Sequence, residues 1–134
     1  MYTGLLTHAN GQYAHPHREH NQQLREGVKT VFAMLKEAGY RTGLIGKDHI
    51  KPLDRYPIDH KPRVKSRDVI AMAKSADQFF DESEDPFFLV VSFSDPHPVS
   101  IDGKGWGIPK PTNGYTPIDY DPADVVVPPF LPDT

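Results

Sequence analysis

The chain has 134 residues and a formal net charge of −3, with 37% hydrophobic and 25% charged residues. This composition is typical of a folded globular protein rather than a disordered one. We expect no nucleic-acid partner, because Lys and Arg form no basic domain, and no membrane insertion, because no apolar run approaches about 20 residues. Cysteine is absent, which excludes disulfides, thiolate metal sites and a cysteine nucleophile within these residues.

The first half of the chain predicts one helix and one strand. Residues 1–23 are polar and rich in histidine, and turn signals interrupt them. A helix is predicted over 30–38, where apolar residues recur at three- and four-residue spacings. Thr30 is a suitable N-cap, and Gly39 is a suitable left-handed terminator. A short buried strand is predicted over 41–46.

A second helix and a second strand follow. Residues 50–65 are predicted to form an irregular basic loop interrupted by prolines. The second helix is predicted over 67–80, with Ser66 as its cap. Its core-facing residues are predicted to be Val69, Ile70, Ala73, Ala76 and Phe80. The continuous apolar run 87–93 predicts a strand buried on both faces, as parallel strands usually are.

The order helix, strand, helix, strand predicts an α/β fold with a parallel sheet. Beyond Pro96 the chain is predicted to be loop, with a short extended piece over 124–127. Two parallel strands do not form a stable core by themselves. The sequence therefore indicates part of a larger domain, whose exposed strand edges should favour association between chains.

Each predicted strand is followed by a short polar motif, Gly46-Lys47-Asp48-His49 after the first and Ser94-Asp95-Pro96-His97 after the second. Ligands of parallel sheets bind beyond the carboxyl ends of the strands. Alternation along an extended chain places Lys47 and His49 on one side, and the prolines around His97 stiffen its loop. We therefore expect these three side chains to converge on one anion. The alternatives are a solvated lysine and a surface histidine at the first motif, and a histidine packed in a proline-rich turn at the second.

Four more histidines precede the first helix, at positions 8, 15, 17 and 20. The spacing His15-x-His17-x-x-His20 is compatible with a divalent metal, but no carboxylate or cysteine completes the set. A solvated loop near a binding cleft is the favoured interpretation. The middle loop is basic, and either a solvated face or a site for a polyanion accounts for this. Its cations are Lys51, Arg55, Lys61, Arg63, Lys65 and Arg67.

Taken in order, three segments resemble the sulfatase family of the alkaline-phosphatase-like superfamily. They are Thr3-Gly4-Leu5 with His8-x-Asn10-Gly11, Leu35-Lys36-Glu37-Ala38-Gly39-Tyr40-Arg41-Thr42 leading to Ile45-Gly46-Lys47-x-His49, and Pro86-Phe87-Phe88-Leu89 leading to Asp95-Pro96-His97. Residues 56–59 and the tail 120–128 resemble the heparan N-sulfatase (sulfamidase) branch. The resemblance implies an alkaline-phosphatase-like α/β domain, with a largely parallel sheet flanked by helices. Residues 1–134 would form part of this catalytic domain, truncated at both ends.

The resemblance also implies a chemistry: hydrolysis of sulfate groups on sulfated carbohydrates such as N-sulfoglucosamine, or on other sulfate esters. The nucleophile would be a formylglycine made from a Cys-x-Pro-x-Arg motif, expected just before Met1, and calcium would be held by residues outside this chain. Lys47 would neutralise sulfate oxygens, and His49 would hydrogen-bond the formylglycine and act as a base. His97 would contact the sulfate and the leaving group, and no residue here is assigned to a metal.

Two further expectations follow from the resemblance, and two alternatives to it are kept open. The 134 residues are expected to be inactive alone, and the full-length protein is expected to be periplasmic, secreted or lysosomal. One alternative is a phosphodiesterase or phosphonate hydrolase of the same superfamily. The other is a non-catalytic module that binds sulfated glycans or a metal through Lys47, the basic loop and the histidines.

Overall fold

The computed structural model describes residues 1–17, 19–107, 109, 121–124 and 126–132. From Val31 to Ser92 the order of the helices and strands is helix, strand, helix, strand, as predicted. The elements are α1 (Thr7–Asn10), α2 (Val31–Glu37), β1 (Arg41–Gly46), α3 (Val69–Asp81), β2 (Phe87–Ser92), β3 (Val99–Ser100) and β4 (Trp106–Gly107), with single 3₁₀ turns at Leu53–Arg55 and Pro122–Asp124.

β1 and β2 pair in parallel, from Arg41 opposite Phe87 to Gly46 opposite Ser92. This confirms the predicted parallel α/β arrangement. The middle loop, predicted to be irregular, runs along the other side of β1. There Gly43 forms a parallel bridge with His60, and the His60 carbonyl accepts a hydrogen bond from the N–H of Leu44 at 2.9 Å. β1 is therefore flanked on both sides, and Leu44 is fully buried.

The centre of the core is an aromatic cluster around Phe32, which is 0% exposed. Its ring lies 5.3 Å from that of Tyr2, 5.1 Å from Phe88 and 6.1 Å from Tyr56, all in edge-on geometry. Edge-on packing aligns the positive edge of one ring with the negative face of another. The cluster thus joins α2, β2, the chain start and the middle loop.

α2 has the predicted N-cap. The Thr30 side chain accepts a hydrogen bond from the N–H of Ala33 at 3.2 Å and donates one to the Arg55 carbonyl at 2.8 Å. The cap therefore also ties the helix to the middle loop. Gly39 follows the helix with a φ of +86°, the left-handed conformation predicted for it.

The predicted start and buried face of α3 are wrong. The helix is capped by Asp68, not Ser66, and the Asp68 carboxylate accepts from the N–H of Ala71 at 3.0 Å. The buried residues are Met72, Ser75 and Phe79, while Ile70 and Phe80 are 42% and 47% exposed. The face is displaced by about one residue because Gly43 leaves room for Phe79, and because the His60 ring contacts Ser75 Oγ at 3.3 Å.

The predicted burial of the second strand on both faces is also wrong. β2 ends at Ser92, and Phe87 and Val91 are 49% and 37% exposed. In the described residues β2 has one strand neighbour, β1. One edge of β2 is therefore unpaired in these residues, and the face that carries Phe87 and Val91 lacks the cover that parallel sheets usually have.

After Pro96 the chain is not loop throughout. β3 and β4 form a small antiparallel hairpin, with Val99 opposite Gly107 and Ser100 opposite Trp106. In the predicted extended piece, Asp124 ends a 3₁₀ turn and 126–127 are not in a strand, while position 125 lies outside the described residues. Among the described residues no helix is both long and apolar enough to cross a membrane.

Candidate active site

The site begins at Gly46, the last residue of β1. Its φ is +94°, a conformation that favours glycine. A side chain at this position would collide with the carbonyl oxygen of Ser92 and with the Met72 side chain. The N–H of Lys47 donates to the same Ser92 carbonyl at 2.8 Å. The glycine thus lets the ends of β1 and β2 come together, which fixes the direction in which the chain enters the motif.

Lys47, Asp48 and His49 follow the end of β1 directly. The Asp48 carboxylate is paired with Lys61 at 2.6 Å, and its charge acts on His49 to raise the pKa of that imidazole, against the larger causes that lower it. His49 is exposed, but the partial burial of its ring is the largest of the causes that lower its pKa. The charges of His15 and Lys47 lower the pKa further. The lowered pKa keeps the imidazole neutral at neutral pH, so that it has a lone pair available to accept a proton, as a general base must.

His49 lies against two histidines from the N-terminal loop. The ring centroids are 4.9 Å apart for His15 and His49, 5.2 Å for His17 and His49, and 5.0 Å for His15 and His17. We call His15, His17 and His49 the histidine triad. The metal spacing considered from sequence used His20 instead. In the structure the side chain of His20 lies 3.8 Å from that of its neighbour Glu19.

Sequence reasoning missed this pairing of distant segments. His15-x-His17 is visible in the sequence, but 32 positions separate His17 from His49. The loop is held in place by backbone hydrogen bonds from Leu24 to Lys51 at 2.9 Å and from Arg25 to Asn10 at 2.8 Å. Both bonds join backbone groups, so no pattern of side chains in the sequence indicates them.

The second motif forms a tight loop anchored on the start of α3. The N–H of His97 donates to the Ser94 carbonyl at 2.8 Å. Arg67 pairs with the Asp95 carboxylate and donates to the His97 carbonyl at 2.6 Å. Ser66 and Ser94 are joined both through their hydroxyls, 2.5 Å apart, and through the backbone. The loop is therefore positioned by its backbone and by Asp95, while the imidazole of His97 remains exposed.

The structure brings two of the three predicted side chains close together. Lys47 is near enough to His49 to lower its pKa. Within the described part of the chain, the side chain of His97 makes no hydrogen bond or ring contact with either of them. Its motif does follow β2, whose end is hydrogen-bonded to Lys47, so all three residues belong to the same edge of the sheet.

A shallow, open pocket borders Gly46, formed by one stretch of the basic loop. Its other lining residues are Lys61, Pro62, Arg63, Val64 and Lys65. Lys61 is paired with Asp48, so Arg63 and Lys65 supply most of the positive potential at the strand end, which attracts an anion. A second depression lies at the opposite end of β1, where Lys36 and Arg41 are paired with Asp59 and Glu82. Pairing neutralises those charges, so the carboxyl end of β1 is the more suitable anion site.

The family model described as Sulfatase matches residues 1–121. The chain belongs to the sulfatase family. It is 33% identical to human N-sulphoglucosamine sulphohydrolase in an alignment that covers all of this chain and 30% of that relative. The sulfatase resemblance and the alkaline-phosphatase-like fold expected from it are thereby confirmed, and the phosphodiesterase alternative is not favoured.

The calcium expected for the sulfatase family does not fit the residues described here. Ca²⁺ takes six to eight oxygen ligands from carboxylates, carbonyls and water. Among the described residues, the one group of three or more candidate side chains is the histidine triad, which offers nitrogen instead. This sulfatase chain also contains no cysteine from which a formylglycine can be made.

Proposed function

We propose that this chain forms the sulfate-binding edge of a sulfatase active site and that Lys47, His49 and His97 are its catalytic residues. The observation that carries the proposal is the parallel pairing of β1 with β2, joined at its end by the hydrogen bond from Lys47 to Ser92. This pairing supports convergence, because the motifs that follow the two strands then start from one edge of the sheet.

The electrostatics of the edge support a sulfate ligand. Lys47 is half-buried at the strand end, where a fixed cation stabilises charge that develops on sulfate oxygens. Arg63 and Lys65 add positive potential beside it. In the reaction, water is added across the S–N or S–O bond, which releases inorganic sulfate and the amine or alcohol. Lys47 binds the oxygens throughout.

The two histidines are assigned to the proton transfers. His49, with its lowered pKa, takes a proton as a base at neutral pH. His97 lies in a loop anchored by Arg67 through Asp95 and its own carbonyl, which leaves its imidazole free to contact the leaving nitrogen or oxygen. The substrate class proposed is a sulfated carbohydrate, including N-sulfoglucosamine, the sugar in the name of the human relative.

We propose further that residues 1–134 do not complete the reaction alone. The chain has no cysteine for a formylglycine, and its described residues do not match calcium. The chain spans about 30% of the length of the curated relative it matches. Hydrolysis of an aryl sulfate or of N-sulfoglucosamine by the purified 134-residue chain would contradict this part of the proposal.

The DNA upstream of the Met1 codon tests the reaction class. Codons for Cys-x-Pro-x-Arg in the same reading frame would support sulfate hydrolysis. Codons for threonine or serine at the position of the nucleophile would indicate phosphoryl transfer instead. The product of the extended frame should release sulfate from N-sulfoglucosamine, measured by ion chromatography.

Substitutions in that product test the three residues. Lys47→Met should lower kcat about 10²- to 10³-fold, as loss of a charge-stabilising donor does. His49→Gln and His97→Gln should each lower it about 10²- to 10⁴-fold, the usual contribution of proton transfer. Lys74→Met is the control, because Lys74 is exposed on α3 and should keep the parent rate. Parent activity in His97→Gln would remove His97 from the site.

A further inference from the structure

We infer that the histidine triad is a binding site for a divalent first-row transition metal of the Zn²⁺ type. The triad unites His15 and His17 of the N-terminal loop with His49 of the first motif. The three offer one ring nitrogen each, and these atoms all lie within 4.8 Å of one another.

The geometry needs only a small adjustment to hold an ion. Zn–N bonds of about 2.0–2.1 Å place tetrahedral ligand nitrogens about 3.3 Å apart. The nitrogens of the triad must therefore close by at most about 1.5 Å, judged against that tetrahedral spacing. All three rings are exposed, so rotation about their side-chain torsions achieves this without moving the core.

The backbone that carries the triad is fixed from several directions. Pro16, between the two loop histidines, is buried while both neighbours are exposed. The carbonyl of His15 accepts from the N–H of Gln22 at 3.2 Å, and Leu24 is bonded to Lys51, two residues beyond His49. A preorganised backbone lowers the entropy cost of gathering three ligands.

The donor set selects the class of metal. Imidazole nitrogen suits Zn²⁺, Cu²⁺, Ni²⁺ and Co²⁺, whereas Ca²⁺ and Mg²⁺ prefer oxygen. Three histidines leave a fourth tetrahedral position for water or an anionic ligand, the pattern of open zinc sites. Lys47 opposes the ion by charge repulsion, while Asp48, paired with Lys61, offsets part of it.

The site has a consequence for the proposed function. An ion on the triad would occupy a lone pair of His49, which then could not accept a proton. Zn²⁺ should therefore inhibit the sulfatase reaction. This consequence rests on the proposed function, but metal binding does not, so the two are tested separately.

Binding is tested by calorimetric titration of Zn²⁺ into the tag-free 134-residue chain at neutral pH. One site is expected. His15→Ala, His17→Ala and His49→Ala should each weaken it by at least about tenfold, since even residues that merely support a ligand cause losses of that size. His20→Ala and His8→Ala are matched controls from the same region and should bind as the parent does. Equal losses in the controls, or no binding by the parent, would overturn the proposal.

A second measurement uses the parent chain alone and so does not require any variant to fold. In NMR spectra of the parent chain, Zn²⁺ should shift the imidazole resonances of the triad and leave those of His60 and His97 in place. Shifts confined to other histidines would overturn the site. If Zn²⁺ binds and shifts the triad but sulfate release by the extended product is insensitive to it, the metal site stands and the role of His49 as the base fails.

Discussion

Replacing Gly46 with alanine tests the close approach that shapes the candidate site. Gly46 has a φ of +94°, and an added Cβ would meet the Ser92 carbonyl and lie 2.6 Å from Met72 Cε. Gly39 offers a matched control, because its φ is +86° and nothing lies within 4 Å of an added Cβ. Both substitutions incur backbone strain, but only the first also forces two strands apart.

The expected costs follow from these two contributions. A left-handed alanine costs about 1–2 kcal/mol, which is the whole effect at Gly39. Overpacking a filled site costs about 1–3 kcal/mol more. Gly46→Ala should therefore reduce the free energy of unfolding by about 2–5 kcal/mol, the sum of these two terms. The hydrogen bond from Lys47 to Ser92 should lengthen or break.

The measurement is urea unfolding of the 134-residue chain and both variants, followed by far-UV circular dichroism. The variants are compared at constant m-value, so that differences in the midpoint report differences in the free energy of unfolding. Equal destabilisation by Gly39→Ala and Gly46→Ala would show that the collision with Ser92 is absent. The argument that glycine brings the two strand ends together would then be refuted.

Two further predictions concern stability. Burial acts to raise the pKa of Asp59, but hydrogen bonds from Lys36 and Thr42 outweigh it and hold the pKa below 3.8. Asp59 therefore contributes stability that is present above its unfolded pKa and is lost as the pH falls through its folded pKa, so Asp59→Asn should flatten the acid limb of stability against pH. Phe32→Ala should cost about 3–5 kcal/mol in urea unfolding, because it empties the centre of the aromatic cluster.

A matched substitution tests the physical explanation behind each of these two predictions. Lys36→Met removes the 2.5 Å ion pair with Asp59 and should flatten part of the same acid limb; an unchanged limb would rule out the ion pair as a cause. Phe80→Ala removes a ring that is 47% exposed and should cost clearly less than Phe32→Ala. A similar cost for both would mean that Phe32 is not central to the core.

The local elements were largely predictable because their causes are local. The Thr30 cap, Gly39 and the helical spacing of α2 lie within about ten residues of one another. The face of α3 was not predictable in the same way. Polar Ser75 is buried because His60 reaches it from the middle loop, and that contact depends on tertiary packing.

The candidate site was likewise predictable only in part. The sequence placed Lys47, His49 and His97 just beyond strand ends, because an apolar run followed by a polar motif is a property of neighbouring residues. It did not place His49 beside His15 and His17, because the approach depends on Leu24 and Lys51 meeting across the fold. The N-terminal loop, predicted to be solvated, thus also lies against the candidate site.

Composition, the two apolar runs and the motifs that follow them determined the fold class, the strand positions and the sulfatase family of this protein. The tertiary structure alone decided which face of α3 is buried, how far β2 is covered and which histidines lie together. Short-range spacing sets backbone conformation, because propensity and capping act within a few residues. Long-range contact depends instead on how whole elements fill space against one another, and no local pattern encodes that.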